Sequence, residues 1–252
     1  MAATTPRVRY VETHAGEGTY ALGPTGEWSE GIGRLWSMTH TNADDGAVAR
    51  YVTLCRELST ATSPPEQYPG SPAFARALLG SEAALGFWER DEMSFNRLAA
   101  HARGDARVQL THGDGLRALR DEVHRGESSS RAVVVLVDPP YTQKTDWILI
   151  PDALVQAVAT STRACVLLWY PVKSLTRPNA MLARLQAAGV SGTIVELITT
   201  PLDHKRNRLN GSGVLLVHPP AGALETLAAA APIIGQRCAT HAGAWSFRMR
   251  SW

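Results

Sequence analysis

The sequence has few cysteines and no long apolar run. Its 252 residues include three cysteines, Cys55, Cys165 and Cys238, and no two of them form a C-x-x-C pair. This spacing argues against a disulfide framework and against a zinc site built from cysteines. No window approaches about 18 uninterrupted apolar residues, so the sequence predicts no transmembrane helix. The N-terminal MAATTPRVRY lacks the apolar core of a secretory signal, and we therefore expect a cytoplasmic protein.

The sequence also has no large excess of positive or of negative residues. The chain has 25 basic and 23 acidic residues, a formal net charge of +2, which neither requires nor excludes a nucleic-acid partner. Basic residues recur at 101–107, 203–208 and 248–250, but each run alone is typical of a solvated face. The motifs G-x-x-x-x-G-K-[ST], H-E-x-x-H and G-x-S-x-G do not occur, and the eight histidines show no metal-ligand spacing. We expect no metal site.

The sequence does contain seven short apolar runs that are typical of β-strands. The fourth and fifth runs are apolar throughout, as in strands buried on both faces at the centre of a parallel sheet. Helical patterns lie between most of the runs. The predicted strands are Arg7–Glu12, Leu85–Glu89, Arg107–Thr111, Ala132–Val137, Ala164–Trp169, Thr193–Thr199 and Gly213–Val217.

Alternating strands and helices predict an α/β fold with a mostly parallel sheet. The polar segment 200–212 has no helical pattern, so we expect the last two strands to form an antiparallel hairpin at that edge. Seven strands ending in a hairpin resemble the plan of class I (Rossmann-like) S-adenosylmethionine (SAM)-dependent methyltransferases. The interval before the second strand is too long for one crossover. We interpret 21–65 as an inserted helical subdomain, and 1–20 with 66–252 as the main domain.

The strongest local motif is Asp138-Pro139-Pro140-Tyr141, which directly follows the most apolar run. Ligands of open α/β sheets bind at the carboxyl ends of strands. An amine on a base ring has a delocalised lone pair; the Asp138 carboxylate and the Pro139 carbonyl are suited to accept its two N–H hydrogens. The Tyr141 ring offers a stacking face for the base. The motif therefore favours methylation of such an amine over the alternative of a simple turn.

Three further signals follow the first three predicted strands. Gly16 and Gly18 permit close approach of the backbone to a nucleotide. Glu89 is placed to accept hydrogen bonds from ribose hydroxyls, and Asp114, beside Gly115, to accept one from the adenine amino group. Each signal alone is weak, and Glu89 and Asp114 also fit ordinary strand ends and turns. Together with the Asp138 motif they predict that the ends of four strands hold one nucleoside.

Several stretches closely resemble the bacterial large-subunit ribosomal RNA adenine-N6 methyltransferases of the RlmJ type. The resemblance extends from about residue 9 to about residue 220 of this chain. Two of the stretches, GEWSEGIGRLW and YPGSP, are specific to that family rather than general methyltransferase motifs. The matching stretches are THAGEGTY (13–20), GEWSEGIGRLW (26–36), YPGSP (68–72), DPPYTQKTDW (138–147), LWYPV (168–172) and GSGVLLVHPP (211–220).

The resemblance implies SAM as methyl donor, the N6 amine of an adenosine in 23S rRNA as acceptor, and an inserted helical subdomain. It implies that Tyr141 stacks on the target base. Trp169 is interpreted either as a wall of the base pocket or as core packing, and Lys144 either as a phosphate contact or as a solvated loop lysine. The implied cofactor contacts are His14, Ser71, Glu89, Asp114 with Gly115, and Asp138.

The chain departs from the family before the first strand. Family members carry there a segment that contributes one SAM contact and contacts to the target adenosine, whereas this sequence has only MAATTPR. A downstream start, a truncation and a natural loss are the three explanations. Two other functions stay open: a DNA adenine or other amine or amide methyltransferase with the same chemistry, and a catalytically impaired RNA-binding remnant. A monomer is the default expectation.

Overall fold

The computed structural model describes residues 7–38, 46–59, 65–128, 131–159, 161–202 and 209–252. All seven predicted strands are present, together with three that the sequence did not predict. The strands are β1 (Val8–Glu12), β2 (Thr19–Ala21), β3 (Gln67–Pro69), β4 (Ala84–Glu89), β5 (Val108–His112), β6 (Ala132–Val137), β7 (Cys165–Val172), β8 (Thr193–Ile198), β9 (Gly211–Val217) and β10 (Ser246–Ser251). The helices are α1 (Ile32–Leu35), α2 (Gly46–Glu57), α3 (Ser71–Leu78), α4 (Glu92–Ala102), α5 (Gly115–Ser128), α6 (Asp146–Val158), α7 (Thr176–Ala187) and α8 (Ala223–Cys238).

The main sheet has eight strands in the order β10-β8-β9-β7-β6-β1-β4-β5. The five strands from β7 to β5 are parallel to one another, and β9, β8 and β10 continue the sheet with antiparallel pairs. The predicted α/β class is confirmed. β6 and β7 lie in the middle of the sheet, and their buried side chains share one core with those of α5, α6 and α7.

The predicted number of strands in the sheet, seven, is wrong, and so is the edge position of the hairpin. β8 and β9 do form an antiparallel pair, but β10 pairs with β8 and takes the edge. The sequence of β10, SFRMRS, has polar and charged residues between its apolar ones and is mostly exposed. Charged residues are common on edge strands, where they discourage pairing with other chains, so a search for apolar runs does not detect β10.

The segment between β1 and β4 contains β2 and β3, which pair antiparallel, and the helices α1, α2 and α3. α1 and α2 bury a small core of their own, which Cys238 at the end of α8 completes. The sequence did not predict α8, whose pattern is interrupted by Pro232 and Gly235. The boundaries of the inserted subdomain at 21 and 65 stay a prediction. Among the described residues, no helix is long and apolar enough to cross a bilayer.

Candidate active site

The carboxyl ends of four neighbouring strands meet at one edge of the sheet. β6, β1, β4 and β5 are adjacent in that order. Backbone hydrogen bonds join the residue after one strand to the end of its neighbour. The Thr13 amide, after β1, donates to the Leu136 carbonyl of β6 at 3.1 Å, and the Gly113 amide, after β5, donates to the Glu89 carbonyl of β4 at 2.9 Å. The topology therefore brings together the residues that the sequence singled out at the ends of the first four predicted strands.

Glu89 is held by two backbone amides. One carboxylate oxygen accepts a hydrogen bond from the Gly16 amide at 2.8 Å, and the other accepts one from the Asp91 amide at 2.7 Å. A carboxylate has about four lone-pair sites. The two that remain are available to the hydroxyls of a ribose, so the geometry is compatible with the role predicted for Glu89.

Two glycines at this edge are required by close packing. Gly16 has a left-handed φ of 64°, and a Cβ there would lie 2.0 Å from the hydroxyl oxygen of Tyr20. A Cβ on Gly115 would lie 2.2 Å from the carbonyl oxygen of Thr13, which is backbone and cannot move aside cheaply. Gly18 also has a left-handed φ, of 80°. The glycines thus allow the loops after β1 and β5 to approach one another.

Asp114 and His14 lie on the two loops that meet at Gly115. Asp114 accepts a hydrogen bond from the Leu116 amide at 3.0 Å and so closes the first turn of α5. The Nδ1 atom of His14 is 2.8 Å from the hydroxyl of Thr13. Burial lowers the pKa of His14, which favours the neutral imidazole at neutral pH.

Glu12, the last residue of β1, is a site residue that the sequence did not predict. Its side chain is fully buried. One carboxyl oxygen accepts a hydrogen bond from the Ser71 hydroxyl at 2.6 Å, and among the described residues the other oxygen has no hydrogen-bond partner. Burial raises the pKa of Glu12 to about 8, against the opposing effect of the Ser71 hydrogen bond. An acid directly before a glycine-rich loop is the sequence signal that identifies this position.

Ser71 is the first residue of α3, and the N-cap of that helix is Gly70. The Ser71 hydroxyl is engaged by Glu12 because the start of α3 packs against the end of β1. Its predicted contact with the cofactor stays a prediction.

Asp138 follows β6 at the centre of this edge. Its side chain is open to solvent, although the protein partly surrounds its carboxyl group. The surrounding protein raises the pKa of Asp138 to about 6, so the carboxylate form predominates at neutral pH and can accept hydrogen bonds. Pro139 is buried and Pro140 is exposed, so the motif passes from the core to the surface within two residues.

Tyr141 is fixed in place by its own backbone and by its hydroxyl. It has a φ of 49°, which few residues other than glycine adopt. Its hydroxyl donates to the carbonyl oxygen of Trp169 at 3.1 Å. Its ring packs on Trp147 with centroids 4.4 Å apart, and Trp169 lies at 6.3 Å. Burial raises the pKa of the Tyr141 hydroxyl well above its usual value, so it stays a donor.

A cavity of about 450 Å³ opens beside the Asp138 motif. Its inner wall includes Pro140, Tyr141 and the two indoles of Trp147 and Trp169. The sequence suggested Trp169 as a possible wall of a base pocket but missed Trp147. Lys144 is exposed on the loop before α6 and does not line this cavity, so its contact with phosphate stays a prediction. The basic run at 203–208 lies outside the described residues.

Comparison with known proteins identifies a family that matches this chain. The family model described as "Ribosomal RNA large subunit methyltransferase D, RlmJ" matches residues 5–252. Two curated relatives, each named "Ribosomal RNA large subunit methyltransferase J", come from Escherichia coli (strain K12) and Haemophilus influenzae (strain ATCC 51907 / DSM 11121 / KW20 / Rd). Each is 30% identical to this chain over 217 residues, which are 84% of this chain and 75% of the relative.

A solved structure with the same fold is protein LPL1258 from Legionella pneumophila str. Philadelphia 1. It superposes with a TM-score of 0.84 at 23% identity, over 98% of this chain and 90% of the other. At this identity the likeness supports the fold alone. It includes nearly the whole chain, so the eight-stranded arrangement belongs to a known architecture.

Proposed function

Because this chain belongs to the family described as ribosomal RNA large subunit methyltransferase D, RlmJ, we propose that it methylates the N6 amine of an adenosine in large-subunit (23S) rRNA with SAM as the donor. The rRNA methyltransferase activity is inferred from membership of this family. The choice of an adenine amine rests on one observation, the Asp138-Pro139-Pro140-Tyr141 motif at the end of a central strand. We expect the enzyme to act in the cytoplasm, as a monomer.

The loops after β1, β4 and β5 are proposed to hold SAM, which supplies an electrophilic methyl group when it is bound. Glu89 has lone pairs left for the ribose hydroxyls, and the absence of a Cβ at Gly115 leaves the two loops in close contact. These observations support the fit. The residues that we propose for the cofactor are His14, Gly16, Gly18, Ser71, Glu89, Asp114, Gly115 and Asp138.

The Asp138 carboxylate and the Pro139 carbonyl are proposed to accept the two N–H hydrogens of the target amine. These two acceptors would fix the nitrogen so that its lone pair points away from the ring plane. Tyr141 is proposed to stack on the base, with its hydroxyl already anchored to Trp169. Catalysis then consists mainly of positioning and electrostatic stabilisation, and Asp138 is the group whose charge matters most.

The test is methyl transfer from labelled SAM to protein-free large-subunit rRNA that lacks the modification. The product is digested and the nucleoside identified by mass spectrometry. We expect N6-methyladenosine with the wild type and at least a hundredfold slower transfer with Asp138→Asn, which keeps the shape but loses the charge. The matched control is Asp121→Asn, at an exposed position on α5, which should leave transfer unchanged.

Competition between substrates separates the alternatives. Duplex DNA or a protein amide that outcompetes rRNA would replace the rRNA assignment while keeping the chemistry of the motif. An impaired remnant would bind rRNA but transfer no methyl group, and calorimetry would find little or no SAM binding. Undiminished transfer by Asp138→Asn would refute the proposed role of the carboxylate.

A further inference from the structure

The cavity of about 450 Å³ lies beside the atoms proposed to hold the target amine and not over them. Pro140 and Tyr141 line it, but Asp138 and Pro139 do not. The cavity therefore extends beyond the place of the target amine. Pockets of roughly 300–1,000 Å³ accommodate ligands the size of a nucleotide, so this cavity has room for more than one base ring.

Three aromatic side chains line the cavity. Trp169 is half-buried on β7, and Trp147 is held against Tyr141. The hydroxyl of Tyr141 donates to the backbone carbonyl of Trp169, which holds the Tyr141 ring beside β7. Proteins that bind single-stranded nucleic acids commonly stack bases on such rings, because every base has a planar face.

Two cations also line the cavity. Lys173 directly follows β7 and Arg177 lies in the first turn of α7; both side chains are exposed and line the cavity. Within the part of the chain that the structure describes, neither side chain forms an ion pair. Glu27 also lines the cavity, and it forms no ion pair with either cation there. The cations are thus available to a phosphate, and a carboxylate such as Glu27 can accept hydrogen bonds from an amino group of a base.

We propose that this cavity is a subsite for a nucleotide adjacent to the target adenosine in the RNA. Its base stacks on Trp169, and its phosphate is held by Lys173 and Arg177. This assignment rests on the proposed RNA methyltransferase function and adds a requirement to it. The enzyme must find two consecutive nucleotides unpaired or flipped out, because a paired neighbour cannot enter the cavity.

The test measures binding of the trinucleotide r(AAA) and of two versions that lack the base at the first or the third position. Binding is followed by tryptophan fluorescence. Loss of one stacked base costs about 1–3 kcal/mol, which corresponds to roughly 5- to 150-fold weaker binding. We expect this loss for one of the two abasic trinucleotides and a much smaller loss for the other.

Charge variants test the phosphate contact. Because the two cations hold one phosphate, removing both in the double variant Lys173→Ala/Arg177→Ala should lower the slope of log affinity against log salt concentration by about 0.7, the value for one phosphate contact on a single strand. Lys173→Ala and Arg177→Ala should each lower the slope by part of that amount. Arg120→Ala, an exposed cation on α5 that does not line the cavity, is the matched control and should keep the wild-type slope. All three changes are at exposed positions, so folding is expected to be preserved.

The result that overturns the subsite is equal binding of the three trinucleotides, or no measurable binding of r(AAA) at low salt. An unchanged salt slope in both cavity variants would also count against it. Methyl transfer to rRNA is measured separately with the wild type. Transfer that persists while the binding series fails would refute the subsite alone, whereas a lack of transfer to rRNA would refute the proposed function.

Discussion

Replacing the buried carboxyl of Glu12 by an amide should make stability less dependent on pH. The folded protein raises the pKa of Glu12 from 4.5 to about 8, chiefly because the side chain is fully buried. Below pH 4.5 the carboxyl is protonated in both the folded and the unfolded chain. As the pH rises, the unfolded chain loses this proton first, so the free energy of unfolding decreases.

The expected size follows from this difference in pKa. One pKa unit corresponds to about 1.4 kcal/mol, so wild type should lose about 1.4 kcal/mol per pH unit relative to Glu12→Gln between pH 4.5 and about 8. The accumulated difference is about 3 kcal/mol at pH 7 and about 5 kcal/mol above pH 8. Glutamine cannot ionise, and it has nearly the same shape.

Urea unfolding of both proteins at pH 5, 6, 7 and 8 measures this difference. Because the two chains share every other titrating group, subtraction isolates Glu12. The amide hydrogen bonds of glutamine add a constant offset and no slope. A difference in unfolding free energy that stays constant from pH 5 to pH 8 would refute the reasoning, since it would mean that Glu12 ionises in the folded state as it does in the unfolded chain.

Three more changes have expected outcomes. Gly115→Ala places a Cβ 2.2 Å from the Thr13 carbonyl oxygen, so we expect a loss of about 1–3 kcal/mol in thermal unfolding and weaker SAM binding in calorimetry. Arg9→Ala removes two 2.8 Å hydrogen bonds from the buried Glu122 carboxylate, and urea unfolding should show a loss of about 3 kcal/mol. kcat/KM for methyl transfer should fall as the pH drops below about 6, where Asp138 gains a proton and loses the negative charge with which it is proposed to accept a hydrogen bond from the target amine.

The two substitutions each have a control in the same chain. Gly80→Ala meets no atom within 4 Å and should be nearly neutral. Arg7→Ala removes an exposed 3.7 Å ion pair and should change stability by less than about 1 kcal/mol. Arg125 still reaches Glu122 at 3.1 Å, so the loss in Arg9→Ala should not exceed the lower part of the range for a broken buried pair. A pH profile that is flat between pH 5 and 7 would contradict the role of Asp138.

The strands that the sequence predicted best are those that hydrophobic burial specifies most strongly. Ala132–Val137 was predicted and found with the same ends, because every second residue of β6 is buried in the core. The helical pattern between the second and third predicted strands corresponds to α4, Glu92–Ala102, whose start is marked by Asp91, a cap that accepts from the Ser94 amide at 2.8 Å. In both cases a local rule and the tertiary packing agree.

The elements that were missed obtain their stability from distant partners. β10 is specified by its pairing with β8, which includes an Arg248–Glu196 ion pair at 2.6 Å, and not by its own apolar pattern. In α8, Gly235 accommodates the ring of Trp245, which a Cβ would approach to 2.4 Å. A glycine inside a helix weakens the local signal, although this one serves packing.

The candidate site also contains residues that a local pattern predicts and residues that depend on distant partners. The residues that follow the ends of β1, β4, β5 and β6 were predicted because parallel strands place their carboxyl ends at one edge. Lys173 and Arg177 were not predicted, because they come close to Pro140 and Tyr141 only through the pairing of β6 with β7 and the turn into α7. Glu12 was missed because its burial depends on α3, through Ser71.

Two carboxyl groups on neighbouring strands give one last prediction. β1 pairs with β6. Glu12 is the last residue of β1, and Asp138 directly follows β6. With pKa values of about 8 and about 6, Glu12 is neutral while Asp138 is ionised near pH 7. A second negative charge nearby would favour protonation of Asp138 and so remove the acceptor that the proposed chemistry needs. Glu12→Gln mimics the neutral acid, so the pH of half-maximal transfer should stay near 6 in that variant. A shift to lower pH would show that Glu12 is ionised in the working enzyme, and that its charge contributes to the raised pKa of Asp138.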